Sequence, residues 1–337
     1  MTPIAPHIAA FLRERLAFER GVSEHTTASY AYAFQLLFTY AAKVLATSPS
    51  ALCLEQIDAP LVLGFLRHLE RDRKNSARTR NARLAAIKSF MRFVEYRVPS
   101  AIEQVGRVRA IPLKRFEARL IPYLKKDELQ GVLDAASPST RIGIRDRAMI
   151  AVASSAGLRV SELVGLGLQD VTLGPRVTIL IHGKGRRERA LPLWKEPAAA
   201  LRAWLAVRGE AAVPEVFLNA RGERMTRSGF EYVLRKHVRT AATQCSSLLK
   251  KRVSPHVLRH TCGKTVLRAI RDIRKTALWL GHAGIRTTEM YTQSDPEENA
   301  TVLEAVTPPS LRRGRFKPPD KLLALLKDSR APAPVRP

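Results

Sequence analysis

The chain has 337 residues, which suits two domains of ordinary size, and 45% of them are hydrophobic, which excludes a disordered tail. The 57 basic and 30 acidic residues give a net charge of +27, which indicates a nucleic-acid partner unless the basic composition has no functional meaning. Three widely spaced cysteines argue against a disulfide framework or a zinc site, and the lack of a signal peptide or long apolar run predicts a cytoplasmic protein without a membrane partner.

The first hundred residues predict a helical domain. Apolar residues recur at helical spacing over residues 8–19 and again after Ser23, a candidate N-cap. Asp58 followed by Pro60 is typical of the start of a third helix. Ser76 is the candidate cap of a fourth helix, which places apolar side chains on one face.

The fourth helix also carries basic residues, which we assign to its opposite face. They are Arg78, Arg80, Arg83, Lys88 and Arg92. Such a stripe can follow DNA phosphates, and a merely solvated helix face is the alternative.

Residues 101–122 contain prolines and several basic residues, which predicts a basic linker after a first domain of residues 1–100. A second domain is expected over 123–306. Residues 307–337 contain eight basic and two acidic residues around the apolar segment 321–327, which predicts a basic tail with a short helix. In the second domain, helices are expected from 126, over 141–156, 196–208, 226–243, 256–268 and 271–280, and strands over 176–181 and 188–193.

Two motifs of the second domain place a guanidinium near other polar groups. Arg159 and Glu162 are one helical turn apart, so the carboxylate can orient the guanidinium, although this spacing is also that of an ordinary helix ion pair. Ser254 precedes a proline, which predicts a helix with His256 in its first turn and Arg259 one turn later. Free backbone N–H groups, an imidazole and a guanidinium would then meet one anion, as at a phosphate site.

Three further places belong to the same pattern. Lys184 lies between two glycines in the predicted hairpin turn, where it can reach a phosphate or a leaving-group oxygen, or simply lie in solvent. Gly281 is expected to end a helix and leave His282 in the following turn. Tyr291 follows nine residues later, and a tyrosine alone is more often a packing residue than a catalytic one.

Taken together, the order and spacing resemble the tyrosine recombinase (phage integrase) family, including its Xer-like members. The motifs are Gly-Leu-Arg-Val-Ser-Glu-Leu, Gly-Lys-Gly followed by Glu-Arg and Leu-Pro-Leu, His-Val-Leu-Arg-His, Leu-Gly-His and the tyrosine, over about residues 120–300. The resemblance implies a fold that is mostly α with a small antiparallel β-sheet (α+β): a helical core-binding domain followed by a catalytic domain. One departure is Cys262-Gly263-Lys264-Thr265, where the family commonly has an aromatic-small-Thr-His run.

The resemblance also implies the role of each residue. Arg159 and Arg259 would clamp the scissile phosphate, Lys184 would protonate the departing 5′-oxygen, and Tyr291 would be the nucleophile. His256 would exchange a proton with the tyrosine, and His282 would support the phosphate. Glu162 would orient the basic residues, with His260 in a supporting position. The predicted DNA contacts are completed by the turn residues Arg186 and Arg187.

The expected reaction is site-specific recombination through a 3′-phosphotyrosyl intermediate, without metal, ATP or another cofactor. The implied partners are double-stranded DNA and a homo-tetramer on synapsed DNA, or related recombinase subunits, with no small-molecule substrate. Integration, excision or resolution of a mobile element or replicon is the expected setting. The alternatives are a catalytically inactive DNA-binding regulator or accessory subunit of the same fold, and a type IB topoisomerase-like activity.

Overall fold

The computed structural model describes residues 1–116, 121–183, 188–282 and Thr288. The chain divides into two compact units, Met1–Arg119 and Leu120–Pro337, each with its own hydrophobic core. Within the described residues no helix is both long and apolar enough to cross a membrane. The predicted tail helix at 321–327 lies outside the described residues.

The first unit is helical. Apolar side chains of its helices, among them Phe34, Phe65 and Phe90, form a single core. Asp58 and Ser76 cap their helices as predicted, since Asp58 accepts a hydrogen bond from the Leu61 N–H (2.8 Å) and Ser76 from the Thr79 N–H (3.2 Å). The helices are α1 (Ile4–Ala10), continued by the π-helical Phe11–Glu19, α2 (Glu24–Val44), α3 (Ala59–Arg71), α4 (Ala77–Arg97) and α5 (Ile102–Ala110).

Helix α5 corrects the predicted linker, which was placed at residues 101–122. Val105, Val108 and Ile111 recur on one side of this segment and are buried in the core of the first unit. This apolar periodicity outweighs the basic residues and prolines on which the linker prediction rested. The first unit therefore includes α5, and no linker begins at residue 101.

In the second unit, helices pack around α7 (Arg141–Ala156), and a small sheet contributes to the same core. Thr140 caps α7 by accepting the Gly143 N–H at 3.0 Å, and α7 ends at Ala156 as predicted. The helices are α6 (Lys126–Asp134), α7 (Arg141–Ala156), α8 (Val160–Val164), α9 (Lys195–Arg208), α10 (Arg227–Ala242), α11 (Pro255–Ile270) and α12 (Ile273–Leu280). The strands are β1 (Val171–Thr172), β2 (Thr178–His182) and β3 (Glu188–Pro192).

The three strands form an antiparallel sheet in the order β1-β2-β3. In the β2-β3 hairpin, His182 pairs with Glu188 and Ile181 with Arg189, so residues 183–187 connect the two strands. Ile179, Ile181 and Leu191 point into the core. A mostly helical chain with one small antiparallel sheet is the predicted fold class, which is confirmed.

Candidate functional site

The start of α11 presents the predicted phosphate-binding motif. Ser254 accepts a hydrogen bond from the Val257 N–H at 3.4 Å, Pro255 is the first helical residue, and His256 is exposed in the first turn. Arg259 follows on the second turn and is 3% exposed. Its guanidinium donates to the carbonyl oxygens of Gly157 and Leu280, both at 2.5 Å. Arg259 therefore links the ends of α7 and α12 to α11.

One buried carboxylate, Glu162, lies among three arginines. Arg159 Nη1 lies 2.6 Å from its Oε1, as the one-turn spacing predicts, and Arg189 Nη2 lies 2.8 Å from its Oε2. Arg259 Nη1 is 3.8 Å from the same Oε2. Burial alone would raise the pKa of Glu162, but hydrogen bonds from Arg189 and from the Arg159 N–H lower it below its ordinary value. Glu162 is therefore ionised and fixes the guanidinium groups around it.

Two glycines with positive φ form turns whose carbonyl oxygens accept hydrogen bonds from arginines of this cluster. Gly157 (φ +61°) ends α7, and a Cβ there would lie 2.5 Å from Leu280 Cδ2. Gly281 (φ +64°) ends α12 as predicted, and its carbonyl oxygen accepts a hydrogen bond from Arg159 Nη2 at 3.3 Å. Both turns need glycine, because a side chain would be strained in this conformation and would collide with its neighbours.

His282 follows directly in the turn after α12. Its backbone N–H donates to Ala277 O at 2.9 Å, and its Nδ1 lies 2.9 Å from Thr288 Oγ1. Burial lowers the pKa of His282 to about 4, helped by the positive charges of Arg259 and Arg159. His282 is therefore neutral near pH 7 and can donate or accept a hydrogen bond at the edge of the arginine cluster. Thr288 precedes Tyr291 by three residues in the sequence.

His260 is buried, whereas His256, four residues earlier on α11, is exposed. His260 is 3% exposed, and burial together with the charges of Lys264 and His256 lowers its pKa to about 4. A supporting position agrees with this burial. Within residues 1–116, 121–183 and 188–282, no group of three His, Cys, Asp or Glu side chains is arranged to hold a metal ion.

We expect the buried His260 and the half-buried His282 to make stability pH-dependent. Their pKa values fall from 6.5 to about 4 on folding, so the unfolded chain binds more protons between these values. Stability should decrease as the pH falls from about 6.5 towards 4, and each such histidine contributes up to about 1.4 kcal/mol per pH unit. Urea unfolding from pH 7 to 4.5 should show this slope, and His260→Gln should reduce it. An unchanged slope in the variant would assign the effect to other groups.

Four of the predicted site residues cannot be placed. Lys184, Arg186, Arg187 and Tyr291 all lie outside the described residues. Their roles stay predictions from the sequence. The structure does bring together Arg159, Glu162, Arg259 and His282, with His256 on the first turn of the same helix as Arg259.

The basic residues of α4 do not share one face, which corrects the sequence interpretation. Arg80 precedes the buried Leu84 by four residues, and Arg80 is itself only 8% exposed. Its Nη1 donates to Pro112 O at 3.1 Å. Arg83 is half-buried over the Tyr32 ring, 4.8 Å from its centroid. At 100° per residue, Arg80 lies on the same side of α4 as the buried Leu84. Its guanidinium therefore bonds within the first unit and does not face solvent.

The remaining basic residues of α4 differ in their exposure. Arg78 and Arg92 are exposed, and Lys88 is half-buried beside a cavity of about 270 Å³. Arg15 and Arg20 also line this cavity. Burial lowers the pKa of Lys88, as do the charges of Arg80 and Arg109. Arg78 is therefore open to solvent for the predicted DNA contact, whereas Lys88 is only partly open.

Sequence reasoning missed one residue of the cluster, Arg189. It is the second residue of β3, and its side chain is 11% exposed. The alternation of inward and outward side chains along β3 could have identified Arg189, because it shares its face with the buried Leu191. A charged side chain on the inner face of a strand requires a buried partner, and Glu162 is that partner.

Two family models match the chain. Residues 122–298 match the phage integrase family, and residues 8–97 match the N-terminal SAM-like domain of phage integrases. The y4rC protein of Sinorhizobium fredii, a candidate integrase/recombinase, is 40% identical over 96% of this chain and 97% of its own length. The tyrosine recombinase XerC of Pelobacter propionicus is 33% identical over 87% of this chain and 92% of its own.

A solved structure shows the same fold. The XerH site-specific recombinase bound to palindromic difH substrate superposes with a TM-score of 0.65 at 23% identity, over 85% of this chain and 82% of that one. The motif order, the arginine cluster and the two family matches agree along the chain. The protein belongs to the phage integrase family and is a tyrosine site-specific recombinase.

Proposed function

We propose that the chain cuts and rejoins double-stranded DNA through a 3′-phosphotyrosyl intermediate on Tyr291. The observation that carries this proposal is the arginine cluster: Arg159 and Arg259 both lie within 4 Å of the buried Glu162, and Arg259 is on the second turn of α11. Two guanidinium groups next to a helix N-terminus suit a phosphodiester. XerH, which shares the fold, is described as bound to its difH DNA.

The charges of the cluster fit the reaction. The phenol of a tyrosine has a pKa near 10, so its phenolate costs about 4 kcal/mol at pH 7. As the Tyr291 oxygen attacks phosphorus, His256 accepts the phenolic proton. The attack adds negative charge to the phosphate oxygens, and Arg159 and Arg259 stabilise that charge. The bond from phosphorus to the 5′-oxygen breaks, Lys184 gives this oxygen a proton, and a partner strand's 5′-hydroxyl later reverses the step.

In this proposal the two units have different functions. The helical first unit binds the duplex with basic residues such as Arg78 and Lys88, and the second unit performs the chemistry. Residues 123–306 form the catalytic domain, and the basic tail at 307–337 contacts a neighbouring subunit. Two DNA sites are exchanged, so four copies of the chain, or copies with a related recombinase, assemble on synapsed DNA.

A suicide duplex tests the chemistry. A binding sequence is first selected from a randomised duplex pool with the Tyr291→Phe protein, and a nick is then placed next to each candidate cleavage position. We expect a covalent protein–DNA adduct with wild type and none with Tyr291→Phe, because a phenyl ring has no nucleophilic oxygen. Equal DNA binding by the two proteins is the control.

The remaining outcomes separate the alternatives. Binding without an adduct from wild type supports a DNA-binding regulator and contradicts the proposal. Relaxation of a supercoiled plasmid that carries one selected site, without exchange between two sites, supports a topoisomerase-like activity. Deletion of the interval between two directly repeated sites supports recombination, and we propose that the natural setting is integration, excision or resolution of a mobile element or replicon.

A further inference from the structure

Arg189 is the arginine of the cluster for which neither the motifs nor the proposed chemistry provides a role. It contacts both oxygens of Glu162, at 2.8 Å from Nη2 to Oε2 and 3.4 Å from Nη1 to Oε1. Both side chains are nearly buried, with 11% of Arg189 and 5% of Glu162 exposed. By contrast, 40% of the Arg159 side chain is exposed. Arg189 is therefore the inner partner of the carboxylate, and Arg159 is the outer one.

The contacts of Arg189 reach the turn that precedes His282. A Cβ on Gly281 would lie 2.6 Å from Arg189 Nη1 and 3.0 Å from its Cζ, so the guanidinium packs directly on this turn. The same turn supplies the carbonyl oxygens that Arg159 and Arg259 bind, on Gly281 and Leu280. Arg189 thus packs against the same turn whose carbonyl oxygens accept hydrogen bonds from Arg159 and Arg259.

Arg189 also raises the net positive charge of the cluster. Three guanidinium cations around one carboxylate leave a net charge of +2 in the cluster. Without Arg189 the net charge falls to +1, and Glu162 has only Arg159 and Arg259 left to pair with. Both would then be drawn to the carboxylate and away from a phosphate, whose negative charge increases during attack.

We propose that Arg189 is a positioning residue of the strand-cleavage reaction, which holds Glu162 so that Arg159 and Arg259 remain directed at the scissile phosphate. It acts without touching DNA. This inference rests on the proposed function, since it presupposes cleavage by Tyr291.

The first test compares Arg189→Met with wild type on the nicked suicide duplex. Single-turnover adduct formation should slow by roughly 100-fold, the effect of a small misplacement of reacting groups. The dissociation constant for the duplex should change by less than about threefold, because only 11% of the Arg189 side chain is exposed for any contact with DNA. Arg189→Lys should recover part of the rate, since it restores the charge but not the two-pronged contact.

A buried arginine outside the site provides the matched control. Arg145 pairs with Asp146 at 2.6 Å and is 7% exposed, so Arg145→Met also breaks a buried ion pair of the second unit. Both variants should unfold more easily, but only Arg189→Met should lose cleavage rate at a temperature where both are folded. Equal loss of rate in the two variants would reduce Arg189 to a structural residue and overturn the proposal.

A second substrate identifies what Arg189 acts on. Replacing the 5′-bridging oxygen by sulfur gives a leaving group that departs as a thiolate and needs no proton. If Arg189 acts through Glu162 on the arginines, the Arg189→Met defect persists on this substrate. If the defect disappears, Arg189 instead acts through the hairpin that carries Lys184, and the proposal is wrong. A wild type that forms no adduct on either substrate overturns the proposed function, whereas a wild type that reacts no faster than Arg189→Met overturns only this inference.

Discussion

Arg259→Lys is expected to slow strand cleavage by about 10²- to 10³-fold, the usual effect of removing one charged donor from a transition state. The guanidinium of Arg259 donates in two directions, to Gly157 O and Leu280 O, while it lies 3.8 Å from Glu162. A lysine ammonium at this position retains the charge but cannot span both carbonyls and also present donors to a phosphate. The measurement is single-turnover adduct formation on the nicked duplex.

Arg208 provides the matched control for this substitution. It is also buried, at 5% exposure, and its Nη2 donates to the carbonyl oxygens of Val213 and Glu215, both at 2.8 Å. Arg208→Lys should therefore lower stability as Arg259→Lys does, by about 1–3 kcal/mol for each unsatisfied carbonyl, while cleavage remains near the wild-type rate. If the two variants lose cleavage equally, the effect of Arg259→Lys reflects stability and not chemistry.

Local signals explain which parts of the fold were predictable. Asp58, Ser76 and Ser254 each start a helix at the predicted residue, because an N-cap bonds to backbone N–H groups only two or three residues away. Gly281 ends α12 for an equally local reason, its positive φ. Such contacts depend on neighbouring residues, so the sequence alone is enough to place them.

The errors have a different cause. The linker prediction gave weight to prolines and charges over residues 101–122 and overlooked the apolar spacing of Val105 and Val108. Arg80 was assigned by its charge although its helical position places it on the buried side. In both cases periodicity was the better guide, because burial of apolar area determines which face turns inward.

Among the described residues of the candidate site, a short-range contact was predictable and a long-range one was not. Arg159 and Glu162 are one turn apart, and their contact follows from that spacing. Arg189 reaches Glu162 from 27 positions further along the chain, through the pairing of β2 and β3. No local rule specifies that contact, since it depends on how the hairpin packs against α8.

The largest combined effect on stability and activity is expected for Glu162→Gln. The carboxylate is 5% exposed and lies among three arginines, so its neutral replacement leaves buried positive charge uncompensated. Breaking a buried ion pair from one side typically costs about 3–5 kcal/mol. Because Arg159 and Arg259 lose their common anchor, we also expect cleavage to fall by about 100-fold or more. Urea unfolding and adduct formation measure the two effects.

The second unit contains a close counterpart of Glu162, namely Glu128 in the first turn of α6. Each accepts the N–H of the residue that caps its helix: Lys125 N to Glu128 Oε2 at 2.7 Å, and Arg159 N to Glu162 Oε2 at 3.0 Å. Glu128 also pairs with Lys251 at 2.6 Å and is 1% exposed. Glu128→Gln should therefore also lose stability, because it leaves the half-buried Lys251 without its anion. It should leave cleavage unchanged at a temperature where the protein is folded.

Acid provides an independent check on Glu162→Gln. The pKa of Glu162 lies below its ordinary value of 4.5 in the folded chain, so its contribution to stability is complete above pH 4.5 and is lost as the pH falls through the lowered pKa. The difference in unfolding free energy between wild type and Glu162→Gln should accordingly be constant from pH 7 to 5 and shrink below that range. A difference that persists undiminished into strong acid would mean that packing, and not the charge of Glu162, holds the arginines in place.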